Sequence, residues 1–438
     1  MSSYTGNVIR IKLVVFLAVF VSLLFFFTNL LHLSAFFYIG LAVLLCSLFV
    51  ISKKELFLLI SFLIPNLFMF KQINSASAIL GYFFSLANII IAFPRFHRQP
   101  RMSLIFALHI FFILVTCVIY LDQKLLLSLI RFALNFSLFS HCAGLFSDSN
   151  EIRQVVKMYF AGVIVAILMG MAYCSYNGTL YNGYFAGINC DRNYFGAVIA
   201  PAVTIAVLYF LEKKVSFSET ILFAATTVLC VISIVLSRSR TTTLSLVFPV
   251  LLCFVYLIRS FWHFNKKVFP LILLLFIFVI ILYNNFQDSL ESLFARFSNK
   301  DMATGNHRFE LWELYFSQIF ESPITFLFGS GSTLEGEYAE HNTIIQSIYQ
   351  LGIVGAITLL IVLFYAFQKI IGKGKMRFVS FFPLLSVTLL YCGISGLYAD
   401  QLSYLIILGA LIIKDFSIPK TFSIENHNII NSVTARHF

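Results

Sequence analysis

Long apolar runs, separated by short loops that collect lysine and arginine, recur along almost the whole chain. A helix crossing the hydrocarbon layer needs about 20 mostly apolar residues, because each residue advances it only about 1.5 Å. Runs that meet or approach this length fall at 11–33, 34–51, 55–70, 76–93, 103–121, 124–146, 152–173, 193–211, 218–236, 241–262, 268–283, 342–371, 376–397 and 402–413. The third and last are short, so the expected fold is an all-α polytopic integral membrane protein with 12–14 transmembrane helices. Composition points the same way. The chain is 60% apolar and 11% charged, against about 45–50% and about 25% for a soluble domain. One water-soluble core cannot absorb that excess. A cytosolic enzyme, a secreted disulfide scaffold and a disordered chain are thereby excluded. The first run follows Arg10 and Lys12 without a small-residue cleavage site behind it, which reads as an anchor rather than a signal peptide.

The net charge of +11 would suggest a nucleic-acid partner in a soluble protein. Here the basic residues occupy loops, where they set orientation, and no nucleic acid is expected. With the N-terminus in the cytoplasm, 21 of the 30 Lys and Arg fall on the inner side, among them Lys53, Lys54, Arg153, Lys157, Lys213, Lys214 and Lys414. Nine remain for the outer side and the membrane: Lys71, Lys124, Arg131, Arg192, Arg238, Arg240, Arg296, Lys300 and Arg308. Both termini are therefore expected on the cytoplasmic side. The eight cysteines show no CxxC spacing. Cys174 and Cys190 share a polar loop and are either a pair in an oxidising compartment or two free thiols.

These features divide the chain into an N-terminal bundle (1–283), a large outer loop (284–341), C-terminal transmembrane helices (342–416) and a cytoplasmic tail (417–438). The loop carries nine acidic and three basic residues, and a segment this long without a span is uncommon unless it is functional. Within it Trp312, Tyr315, Phe316, Ile319 and Phe320 recur at helical spacing. Asn306 is the expected N-cap and Pro323 the expected stop. The pattern predicts an amphipathic helix on the outer membrane surface or capping the bundle.

Basic residues on the wrong side of the sorting rule carry the chemical signal. Ser237-Arg238-Ser239-Arg240-Thr241 makes a very short outer turn between two spans. A guanidinium keeps its charge in low dielectric and forks onto phosphate, so the turn reads as an anion site; the alternative is snorkelling to lipid headgroups. Arg192, just ahead of a span on the same side, is a second anion contact or a local partner of Asp191. Arg308 opens the predicted amphipathic helix, where free N–H groups also favour anions; as a solvated face charge it would have no such role. Arg131, with Asn135 one turn on, reads as a structural pair inside the sixth run. His341, in Glu340-His341-Asn342-Thr343, stands where the large loop enters the twelfth span. Its imidazole suits a general base near neutral pH, although a lone histidine is more often structural, the reading given to His109, His141 and His263. Beyond it, Gly352, Gly355 and Ala356 form a small-residue face for close helix packing. GxxxxGK[ST], HExxH and GxSxG are missing, and Gly329-Ser330-Gly331-Ser332 reads as a turn rather than a nucleotide cradle.

Taken in order, Ser237-Arg238-Ser239-Arg240-Thr241, Gly305-Asn306-His307-Arg308-Phe309-Glu310-Leu311-Trp312, Phe328-Gly329-Ser330-Gly331, His341-Asn342 and Gly352-Ile353-Val354-Gly355 resemble the O-antigen polymerase and O-antigen ligase superfamily of bacterial envelope polysaccharide synthesis. The resemblance covers roughly the C-terminal half. It implies a glycosyltransferase using undecaprenyl-diphosphate-linked sugars on the outer side of the inner membrane, with no metal and no cofactor. His341 would deprotonate the acceptor hydroxyl. Arg238, Arg240 and Arg192 would hold the donor diphosphate, and Arg308 matches the family's loop arginine. The expected function is repeat-unit (O-antigen type) polymerisation; the alternatives are ligation of glycan to lipid A-core, or a lipid-linked oligosaccharide flippase. A transporter should carry more ionisable groups along an interior path. Expected partners are the lipid-linked oligosaccharide, membrane lipids, a chain-length regulator and a flippase.

Overall fold

A computed structural model describes residues 2–66, 76–92, 100–120, 145–146, 148–177, 185–188, 192–211, 215–261, 308–331, 341–371, 381–391 and 400–418, with a few isolated positions between them. Its helices are α1 (Ser2–Leu31), α2 (Ser34–Val50), α3 (Lys53–Leu63), α4 (Ala76–Ala92), α5 (Pro100–Tyr120), α6 (Ser149–Asn177), α7 (Arg192–Leu211) and α8 (Phe217–Ser237). They continue as α9 (Arg240–Ser245), α10 (Val247–Phe261), α11 (Arg308–Ile319), α12 (Pro323–Phe328), α13 (Thr343–Ile371), α14 (Phe382–Tyr391) and α15 (Asp400–Ser417). Among the described residues there is no strand, and the chain is an all-α membrane protein.

Helix α7 shows why the bundle closes as it does. Gly196, Ala197, Ala200, Ala202 and Ala206 let neighbours approach on several sides, and nearly every residue from Phe195 to Tyr209 is buried. A helix apolar all round belongs inside a bundle. Accordingly α6, α8, α9, α10 and α14 all pack on α7, while α5, α11, α12 and α15 gather on α13. Small residues matter in membranes because helices there associate through close packing rather than water exclusion.

The two ends of this bundle differ in chemistry. At one end, Lys157 Nζ lies 2.8 Å from Glu219, and Arg153 lies 3.9 Å from both Glu219 and Asp415. Tyr209 donates to Asp415 at 3.0 Å, Ser149 donates to the same carboxylate, and Lys54 pairs with Glu151. Lys414 Nζ reaches the Phe146 carbonyl at 2.8 Å. Ser52 and Ser216 begin α3 and α8 there with capping boxes closed by Glu55 and Glu219. The far end of α8, about 30 Å away by helix rise, carries Arg238, and α7 begins beside it at Arg192. Lys54, Arg153, Lys157 and Lys414 thus share one end, and Arg192 and Arg238 the other, matching the two groups separated by charge sorting.

Among the described residues five helices are long and apolar enough to cross a membrane, at Ile11–Leu31, Ser149–Asn177, Arg192–Leu211, Phe217–Ser237 and Thr343–Tyr365. Several finer expectations are corrected. The third run ends its α-helix at Leu63 and tightens into a 3-10 turn, Ile64–Asn66. The run at 241–262 is two helices, because α9 stops at a turn on Leu246 before α10 starts. Gly352 allows close packing, but not as part of a continuous helix face. It has φ 68° and ψ 177° and breaks α13. Pro323 starts α12 at its first turn instead of only ending what precedes it. Cys174 is buried, its sulfur 3.8 Å from the Gly187 carbonyl oxygen. The run at 124–146 apart from residues 126, 145 and 146, that at 268–283 apart from residue 283, and Arg131, Asn135, His141, Cys190, His263 and Asn306 lie outside the described residues.

Candidate functional site

The Arg238 turn is short because both helices around it end on specific backbone devices. Helix α8 closes with Arg238 in the left-handed region (φ 50°, ψ 29°), its N–H bonded to the Val235 carbonyl at 3.1 Å. Glycine usually fills such a cap, since a Cβ there is unfavourable. Ser239 then extends, accepts from Thr242 N–H at 3.3 Å and so caps α9. Two residues separate the helices, which sets Arg238 and Arg240 on either side of one serine.

Three contacts bring other segments to this turn. Ser239 Oγ donates to Asn193 Oδ1 at 2.8 Å, which ties it to the first turn of α7 and hence to Arg192. Phe185 N–H bonds the Leu236 carbonyl at 2.9 Å, so the loop ahead of α7 lies along the end of α8. Gly196 faces Thr242 so closely that a Cβ would stand 1.9 Å from Thr242 Oγ1. Arg192, Arg238 and Arg240 are each half-buried.

Arg308 approaches from the large loop. Burial, followed by the positive charge of Arg240, holds its guanidinium below the usual arginine range. Like charges within reach of one another are unfavourable. Helix α11, which Arg308 opens, is fixed by one stripe: Tyr315 and Ile319 are buried against Ile345 and Tyr349 of α13, with Leu311 and Trp312 at the margin. Tyr315 and Tyr349 meet edge to face at 4.7 Å, and Tyr349 OH donates to Gln318 at 3.0 Å. The predicted aromatic face is thus narrower than expected, for Phe316 and Phe320 point away and are exposed.

His341 immediately precedes the half of α13 on which α11 rests. It too has a left-handed backbone (φ 51°); among the described residues only His32 and Arg238 share this outside glycine. Such conformations persist where surroundings enforce them, often at functional sites. Asn342 caps the helix behind it, its side chain accepting from the N–H groups of Ile344 at 2.9 Å and Ile345 at 3.3 Å. The break at Gly352 closes the same unit. Ser330 N–H bonds the Tyr349 carbonyl at 2.7 Å and Gly331 N–H the Gln350 carbonyl at 3.3 Å, replacing helical partners lost at the break. A Cβ on Gly352 would stand 2.3 Å from the Leu327 carbonyl oxygen, and one on Gly329 2.5 Å from Gly352 N. The glycine run is therefore a backbone dock for α13. His109, read as structural, is buried with Nδ1 2.9 Å from Thr358 Oγ1.

The structure thus ties Asn193, next to Arg192, to the Arg238–Arg240 turn through the Ser239 hydrogen bond, brings the charge of Arg240 to bear on Arg308, and carries Arg308 and His341 on helices packed together at Tyr315 and Tyr349. Sequence reasoning passed over Asn193, Thr242 and Gln318. The run of small hydroxyl residues from Ser237 to Ser245, within apolar surroundings, was the available signal. No curated protein matches the chain. Residues 225–360, which contain Arg238, Arg240, Arg308 and His341, match the family model described as O-antigen ligase, and this match supports the chain's place in the O-antigen polymerase and ligase superfamily.

Proposed function

We propose that the protein is an oligosaccharide repeat-unit polymerase working on the outer face of the bacterial inner membrane, with both termini in the cytoplasm. It transfers glycan from undecaprenyl diphosphate to a second lipid-linked oligosaccharide, and works beside a flippase and a chain-length regulator. What supports this reading is the short Arg238–Arg240 turn, hydrogen-bonded through Ser239 to Asn193 beside Arg192, with the positive charge of Arg240 acting on Arg308 of α11. A leaving diphosphate develops negative charge as the sugar departs, and fixed cations in a partly dry site stabilise it most when they are already in place. Arg238, Arg240, Arg192 and Arg308 fill that role, which lets transfer proceed without a metal.

His341 acts as the base. Its imidazole takes the proton of the acceptor hydroxyl, the hydroxyl oxygen bonds to the anomeric carbon, and the bond from that carbon to the diphosphate breaks. Undecaprenyl diphosphate leaves with the bonding pair. The description of the matching family model favours a second reading, ligation of finished glycan to lipid A-core.

Purified protein incubated with lipid-linked repeat units and EDTA tests both. A ladder of products supports polymerisation, a single addition to supplied lipid A-core supports ligation, and no covalent product refutes transfer. His341→Ala should lower transfer by about 10³-fold while membrane insertion is unchanged; a normal ladder from that variant removes the base assignment.

A further inference from the structure

The hydroxyl of Ser239 is saturated: it accepts from Thr242 N–H at 3.3 Å and from Thr242 Oγ1–H at 2.9 Å, and donates its one proton to Asn193 Oδ1 at 2.8 Å. A serine hydroxyl has one donor and two acceptor sites, and these three contacts use all of them. Ser239 and Thr242 are buried, and Gly196 has no side chain to keep Thr242 from α7. The contact crosses between the helix that begins with Arg192 and the turn that carries Arg238 and Arg240.

We propose that Asn193 is a positioning residue which, through Ser239, sets the spacing between Arg192 and the Arg238–Arg240 turn and so the fit of a diphosphate group between them. This rests on the function proposed above. The amide is neutral, so it fixes the arginines without neutralising them. An acidic side chain at position 193 would compete with the anion for the same guanidinium groups.

The test is a double-mutant cycle on the full-length protein with Asn193→Ala and Ser239→Ala, reading KM and kcat for undecaprenyl-diphosphate-linked donor together with thermal unfolding. Each single variant should raise KM about tenfold, and the double variant should be no worse than the poorer single. Ser239→Thr, which keeps the hydroxyl, should stay near the parent KM. The proposal is overturned by an unchanged KM with reduced kcat, the mark of fewer folded molecules, or by effects that multiply. If both single variants fail to fold, the contact serves folding and the proposal also falls. Arg238→Lys is measured alongside. If that variant behaves as the parent, or the parent transfers nothing, the functional reading fails and the positioning role with it. If Arg238 matters and Asn193 does not, only the positioning role is lost.

Discussion

The two ends of the α7–α8 pair solve opposite problems with similar residues. Around Asp415, cations meet carboxylates: Lys157 with Glu219, Arg153 between Glu219 and Asp415, Lys54 with Glu151. Charge there joins α3, α6, α8 and α15. Around Ser239 the hydrogen bonds that join the turn to α7 are made by hydroxyl, amide and backbone groups, and the positive charge of Arg240 acts on Arg308. Ion pairs matched within the fold hold helices together at the first end, whereas hydroxyl, amide and backbone groups set the chain path that carries the arginines at the second.

The comparison can be broken by changing one end and watching the other. Asp415 is fully buried and receives Tyr209 and Ser149, so Asp415→Ala should cost about 3 kcal/mol of stability in thermal unfolding, with transfer per folded molecule unchanged. A large rise in donor KM in that variant would show that the ends are not independent. Arg238→Lys should do the reverse, lowering transfer about 100-fold because a point charge cannot replace the fork, while unfolding stays put. Equal loss of stability would make Arg238 a structural cap instead. Lys157→Ala sharpens the picture, since its side chain is 40% exposed and its removal should cost less than about 1 kcal/mol. Lys54→Ala, at a site 47% exposed, should be the smallest change, at most about 0.5 kcal/mol, and should vanish in high salt.

Much of this arrangement is legible in the sequence because hydrophobic length and charge sorting are properties of the chain itself. The apolar runs identify α1, α6, α7 and α8, and the placement of lysines and arginines separates Arg153 and Lys157 from Arg192 and Arg238 before any contact is known. The Arg238–Arg240 turn is conspicuous for the same reason: its charge contradicts its surroundings. Gly352 shows where that logic stops. Within an apolar run it passes for one more small helical residue, yet the Leu327 carbonyl and Gly329, more than twenty residues earlier, require a glycine with positive φ there. The aromatic stripe of α11 is similar. Spacing groups Trp312, Tyr315, Phe316, Ile319 and Phe320, and only the presence of Ile345 and Tyr349 selects Tyr315 and Ile319 for burial.

By itself, then, the sequence determined a helical membrane protein, the division of its charges between two ends, and the arginines and histidine on which its chemistry is proposed to depend. Tertiary structure decided that Asn193 holds Ser239, that Arg308 comes within reach of Arg240's charge, and that Arg238 and His341 take left-handed backbones. The reason is physical: length, polarity and charge act through the solvent around each segment, whereas a hydrogen bond or a glycine contact exists only when a distant part of the chain supplies its other half.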